Sequence, residues 1–222
     1  MFSFKRRRFT KLFAASILAL NTQLAMSEAL TNVAIKTSMG EIVLELYPER
    51  APKTVENFLR YVKAGHYSNT IFHRVIDNFM IQGGGFDKKM QEKSTGKPIA
   101  LEARYALDHD LKNEPGTIAM ARTNDPNSAT AQFFINVNDN DFLNHQILPE
   151  GDPVEYSRRG EMIKSSRAQA LNATAGYTPF GKVIKGMDVV EKIKVVRTNG
   201  NSGMMPNVPL ETVTIESIKV IK

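Results

Sequence analysis

Cysteine is absent from this chain of 222 residues, which excludes disulfides, thiol nucleophiles, zinc–thiolate sites and lipid attachment through a thiol. Histidine is scarce. His66, His73, His109 and His145 stand without metal-ligand spacing, so no metal site is expected. Acidic residues are missing before Glu28, and in that stretch Lys5, Arg6, Arg7, Arg8 and Lys11 carry +5 of the formal net charge of +6. The rest of the chain is left at +1, which offers no basic footprint for nucleic acid. Long hydrophobic runs are lacking too. The apolar stretch at residues 12–20 is too short to span a bilayer, so no stable membrane anchor is expected.

What the amino terminus does have is the layout of an export signal. A cationic start precedes the apolar stretch, and Ala25-Met26-Ser27 puts small residues where a signal peptidase reads. Residues 1–27 are therefore expected to be a cleaved signal peptide, with cleavage after Ala29 as the fallback. Arg6-Arg7-Arg8-Phe9-Thr10-Lys11 also resembles a twin-arginine signal. Either route crosses the inner membrane, and in a Gram-negative cell the destination is the periplasm. The remaining 28–222 reads as one domain, long enough for a full hydrophobic core.

Within that domain, segments 33–37 and 42–47 are rich in β-branched residues and turn at Ser38-Met39-Gly40, which predicts a hairpin. A helix follows, with Pro52 in its first turn, Val55, Phe58, Leu59 and Val62 at helical spacing, and Gly65 as its stop. Strand signals return at 71–76, 79–82, 99–102, 117–121, 132–137 and 179–184. A second helix spans about 187–195, and 213–221 closes the chain as a strand. The expected fold is all-β with two capping helices, a closed antiparallel barrel of about eight strands. Gly83-Gly84-Gly85 is not a phosphate loop, because no Gly-Lys-Ser/Thr follows it.

The chemistry concentrates in FHRVIDNFMIQGG at 72–84. Two strand-length runs meet at Asp77-Asn78 and close on glycines. Arg74, Phe79, Met80 and Gln82 combine a guanidinium, two bulky apolar groups and an amide, which suits a pocket with one greasy and one hydrogen-bonding wall. As pattern alone, an Arg and a Gln on a hairpin more often belong to its solvated face. Downstream come GTIAMAR at 116–122, NSATAQFFINV at 127–137, DFL at 141–143 and PFGKVIKGMDVVEKI at 179–193. These blocks, in this order from about 33 to 222, resemble the signature of the cyclophilin-type peptidyl-prolyl cis-trans isomerases, leaning toward bacterial, exported members.

The resemblance implies the capped barrel and an enzyme that accelerates rotation about X-Pro peptide bonds, assisting the folding of exported proteins. It implies Arg74 as the catalytic arginine and Gln82 as the amide that holds the substrate carbonyl. Substrate contacts would come from Phe79, Met80, Ala121, Arg122, Gln132, Phe134, Phe142, Leu143 and Tyr177, with Phe133 turned to the core. The chemistry agrees with this assignment. Partial double-bond character gives the amide a rotation barrier of about 18–20 kcal/mol. In the twisted transition state the prolyl nitrogen regains a lone pair, which a fixed, permanently charged donor stabilises selectively. No covalent bond changes, so no metal or cofactor is required.

Three matched positions depart from the best-known eukaryotic pattern: Phe142 for a tryptophan, Arg122 for an asparagine and Tyr177 for a histidine. Arg122 would add a positive charge at the groove rim. Residues 144–176 form an insertion with Pro149, Pro153, Arg158, Arg159, Lys164 and Arg167. Its middle has helix-forming composition, with Met162 and Leu171 as sparse apolar anchors. It is either a tolerated surface loop or a substrate-facing or partner-facing flap springing from Phe142 and Leu143. The expected partners are proline-containing unfolded or partly folded polypeptides, and the expected state is a monomer. The competing class is a proline-segment binding module or holdase chaperone without significant turnover.

Overall fold

Alternation of apolar and polar residues decides which side chains face inward. The computed structural model describes residues 31–158 and 160–221, and the expected signal segment lies outside the described residues. The chain opens as the expected hairpin of β1 (Thr31–Thr37) and β2 (Gly40–Leu46), followed by helix α1 (Pro52–Lys63). Strands β3 (Thr70–Ile76) and β4 (Met80–Asp87) precede a short helix α2 (Ala103–Asp108). Strands β5 (Thr117–Met120) and β6 (Phe133–Asn136) lead through a 3-10 turn, Asp141–Leu143, into the insertion. The insertion carries β7 (Val154–Arg158), β8 (Glu161–Ser165) and α3 (Arg167–Ala173). Strand β9 (Pro179–Lys185), helix α4 (Met187–Lys194) and strand β10 (Thr214–Ile221) complete the chain.

Eight strands close antiparallel in the order β1-β10-β3-β4-β6-β5-β9-β2, while β7 and β8 pair, among the described residues, only with each other. The barrel expected from the sequence is therefore present. Every second residue points inward: Val33 and Ile35, Ile42, Leu44 and Leu46, Ile81, Ile118, Phe133 and Ile135 are all buried in one core. Helices α1 and α4 add Val55, Phe58, Val62, Val189, Val190 and Ile193 to that same core.

Residues 99–102, expected as a strand, make a single bridge between Ile99 and Ala129 and then turn into α2. The reason lies at the start of α1. Its N-cap position is Ala51, whose side chain cannot accept a hydrogen bond. Glu102, buried and distant in sequence, does so instead. Its carboxylate accepts from Lys53 N at 3.1 Å, Thr54 N at 2.8 Å and Thr54 Oγ1 at 2.7 Å. An anion at a helix amino terminus is favourable, and each such charge-assisted bond contributes about 1.5–3 kcal/mol. Serving the helix takes this stretch out of the sheet.

The insertion also differs from expectation. Met162 and Leu171 are exposed and anchor nothing. The β7–β8 hairpin occupies ground whose composition favours helix, and only α3 is helical. A separate small cluster of Val154, Tyr156 and Ala170, with Leu148 and Ile163 against it, holds the insertion together. Its two ends are stitched at the barrel. Gln146 N donates to Thr174 O at 3.0 Å and Tyr177 N to Leu143 O at 2.9 Å.

One buried group makes the fold sensitive to acid. His73 on β3 is buried against the Phe86 ring, and its Nδ1 has no hydrogen-bond partner among the described residues. Burial, helped by the charge of Arg74, pushes its pKa from the ordinary 6.5 down to about 4. Below about 6.5 the unfolded chain takes up a proton that the folded protein refuses, so stability falls with pH until about 4. The whole gap corresponds to roughly 3 kcal/mol. Burial lowers the pKa of His66 as well, with the same sign. Urea unfolding at pH 7 and pH 5, above the ordinary carboxylate range, should show a loss of about 2 kcal/mol at the lower pH. An unchanged midpoint would show that the His73 imidazole is protonated in the folded protein.

Candidate active site

Strand register brings the sequence-predicted residues into one row. Arg74 on β3 pairs with Gln82 on β4, Gln82 with Phe134 on β6, and Phe134 with Ala119 on β5. Cross-strand partners share a face, as do residues two apart on a strand, so Met80 joins the same row. Their sequence neighbours Ile81, Phe133, Ile135 and Ile118 sit in the barrel core, which puts the row on the barrel's outer face. Phe133 is fully buried there, as its alternation with Phe134 predicts.

On this face Met80, Ala119, Phe134 and Leu143 form a small buried cluster, with Phe79, Ala121 and Tyr177 packed against it. A cavity of about 120 Å³ opens onto all of these but Ala119, lined also by Arg74, Gln82 and Arg122. That volume suits one small ring, whereas sites for drug-sized ligands run to several hundred Å³. The Phe134 ring meets the Tyr177 ring edge-on, with centroids 5.7 Å apart. One wall is thus aromatic and aliphatic, and the other carries a guanidinium and an amide.

The charged wall is preorganised. Arg74 Nη1 donates to Gln82 Oε1 at 3.3 Å and lies 3.9 Å from Met80 Sδ, while its guanidinium carbon sits 5.8 Å from the Phe79 ring centroid. Partial burial lowers its pKa and neighbouring Tyr177 opposes that shift. A guanidinium starts so high that it stays protonated. Gln82 Nε2 in turn donates to Gln132 Oε1 at 3.1 Å, so the amide facing the cavity is held from both sides.

A strong donor beside an apolar slot for one ring is the arrangement that prolyl rotation requires, and comparison with known proteins agrees. The family described as cyclophilin type peptidyl-prolyl cis-trans isomerase/CLD matches residues 32–220. The chain belongs to this family. It is 51% identical over 193 residues to peptidyl-prolyl cis-trans isomerase cyp18 of Streptomyces antibioticus, covering 86% of this chain and 99% of that protein. Peptidyl-prolyl cis-trans isomerase B of Escherichia coli K12 is 50% identical over 188 residues, covering 85% and 98%. Among solved structures, a Cryptosporidium parvum cyclophilin determined in the presence of the dipeptide Ala-Pro superposes with a TM-score of 0.63 at 25% identity, covering 86% of this chain and 99% of that one. The activity of this cyclophilin is peptidyl-prolyl cis-trans isomerisation, and the family binds proline-containing peptides.

Two of the expected substrate contacts stand outside the cavity in this cyclophilin. Gln132 reaches it only through Gln82. Phe142 is 57% exposed and stacks on Phe79 at 5.6 Å, roofing the cavity wall from outside. Arg122 is at the rim, but it is tied down rather than free. Its Nε donates to Gly176 O at 2.9 Å, its Nη1 to Thr123 O at 2.8 Å, and its guanidinium covers the Tyr177 ring at 4.5 Å.

Sequence reasoning missed the amide scaffold behind the site. Asn140, almost fully buried, donates to Phe79 O at 2.8 Å and to Asn136 Oδ1 at 2.7 Å. Asn136 reaches Asn113 Oδ1 at 3.3 Å, and Asn113 donates to Asn144 Oδ1 at 3.0 Å. This chain of amides fixes the turn carrying Phe79 and the 3-10 turn carrying Leu143. The available signal was the run of asparagines around DFL, since short amides in turns commonly bond the backbone.

Proposed function

We propose that Arg74 is the catalytic donor, that Gln82 holds the substrate carbonyl, and that the cavity walls Phe79, Met80, Phe134 and Leu143 grip the proline ring. With the ring fixed, the residue before it rotates. As the amide twists, nitrogen loses conjugation and becomes an acceptor, and the guanidinium then makes a bond unavailable in the planar ground state. The observation carrying this reading is Arg74 held by Gln82 at 3.3 Å on the rim of a ring-sized apolar cavity. A pure binding module needs the slot but not the arginine. The test is a coupled isomerisation assay on a proline tetrapeptide, where rate acceleration is expected. Binding without acceleration would favour the holdase reading.

The folding of exported proteins is the proposed biological role, with the periplasm as the compartment. Support comes from the cationic and apolar layout of residues 1–27 and from the family match, which begins only at residue 32. When the full chain is produced in a Gram-negative host, the periplasmic fraction should contain protein beginning at Glu28. Recovery of uncleaved protein from the cytoplasm alone would refute export.

A further inference from the structure

Beside the proline cavity lies a groove of about 400 Å³, and the insertion makes its outer wall. Arg122, Leu143 and Tyr177 line both spaces, so the two adjoin across these side chains. The polar lining is one-sided. Arg122 comes from the barrel and Arg158 from the end of β7, together with the amides of Asn124, Asn144, Gln146 and Asn172, and among the described residues no carboxylate lines the groove. Arg122 is anchored by Gly176 O and Thr123 O. Arg158 is exposed and takes part in none of the ion pairs among the described residues, even though Glu161 stands opposite it across the hairpin. Elsewhere on the same hairpin Lys164 is paired with Glu155 at 3.2 Å.

The neighbouring cavity holds one ring, so a polypeptide bound there must continue over the surface on both sides. One of those sides leads into the groove. We propose that the insertion builds a second subsite that receives the flank of the same substrate chain and favours an acidic residue within it. The two guanidiniums supply the charge match for an Asp or Glu side chain. Asn144 is already bonded to Asn113 and Asp141, so the amides of Asn124, Gln146 and Asn172 supply donors and acceptors for the substrate backbone. A lysine in the same place would meet the like charge of the two guanidiniums. The subsite rests on the assignment of the proline cavity, since it acts on whatever chain that cavity holds.

Peptides sharing one neutral X-Pro core and carrying Glu, Ala or Lys within three residues of the proline, on one side and then the other, test the idea. On one side the Glu peptide should exceed the Lys peptide about three- to tenfold in kcat/KM, a range set by partly exposed ion pairs. The advantage should shrink as salt is raised from low to physiological strength. Arg158→Glu should abolish or invert the preference. Lys219→Glu, the same charge change on exposed β10, should leave it in place. Equal rates for Glu and Lys peptides on both sides would overturn the proposal, as would a preference that survives Arg158→Glu. Absence of turnover on all the peptides would overturn the proline-site assignment, and the subsite with it.

Discussion

Replacing Arg74 with alanine should cut kcat/KM for X-Pro isomerisation about a hundredfold or more while the protein stays folded. Removing one preorganised donor from a site where charge develops typically costs roughly 2.7–4 kcal/mol. Arg74 fits that case because it is positioned before substrate arrives, by Gln82 Oε1 and by the Phe79 ring. The loss should fall mainly on kcat, since the donor acts on the twisted amide and the apolar walls still bind the ring. The fold should survive because the residue lies on the barrel's outer face, half-buried, and its loss returns Gln82 Oε1 to solvent rather than stranding it in the core. Arg74→Lys should recover only part of the activity, as an ammonium lacks the planar set of donors. A folded alanine variant with near-full activity would refute the assigned role.

How much of this was legible beforehand follows from where each constraint lives. Arg74, Gln82 and Phe134 were picked out by the family resemblance, and local strand alternation added only that Met80 and Gln82 share a face and that Phe133 and Phe134 do not. The turn at Asp77-Asn78 was legible locally, and Asn78 does adopt the left-handed conformation, at φ 58°. Tyr177 was named by the family resemblance alone, because local pattern gives no sign of it. It reaches the cavity only because the ends of the insertion are stitched together, which no local pattern announces. Glu102 misled the strand reading because its role is to cap a helix some fifty residues earlier. Met162 and Leu171 misled through apolarity alone. In a segment with few apolar residues, Val154, Tyr156 and Ala170 were enough to build its core.

The glycines after Gln82 read in sequence as the close of a strand, yet β4 runs through Gly83, Gly84 and Gly85, and this sets the second large effect. Gly84→Ala should destabilise the protein by about 3 kcal/mol. The backbone at Gly84 is left-handed, at φ +85°, and an added Cβ would lie 2.9 Å from ring atoms of both Phe133 and Tyr67. Neither ring can retreat. Both are buried, they meet at 5.6 Å, Phe58 packs on each, and the Tyr67 hydroxyl donates to Ala131 O at 2.8 Å. A left-handed alanine accounts for roughly 1–2 kcal/mol and core crowding for a further 1–3 kcal/mol. At about 2–4 °C per kcal/mol for a chain of this size, Tm should fall by about 6–12 °C. Gly65→Ala separates the two causes. That residue is also left-handed, at φ +67°, but nothing lies within 4 Å of its added Cβ, so only the smaller backbone cost applies. Thermal unfolding followed by circular dichroism should therefore rank wild type above Gly65→Ala and Gly65→Ala well above Gly84→Ala. Equal losses in the two variants would mean that the aromatic core yields freely to an extra methyl group, and that the close approach of β4 to Phe133 and Tyr67 is not what requires glycine there.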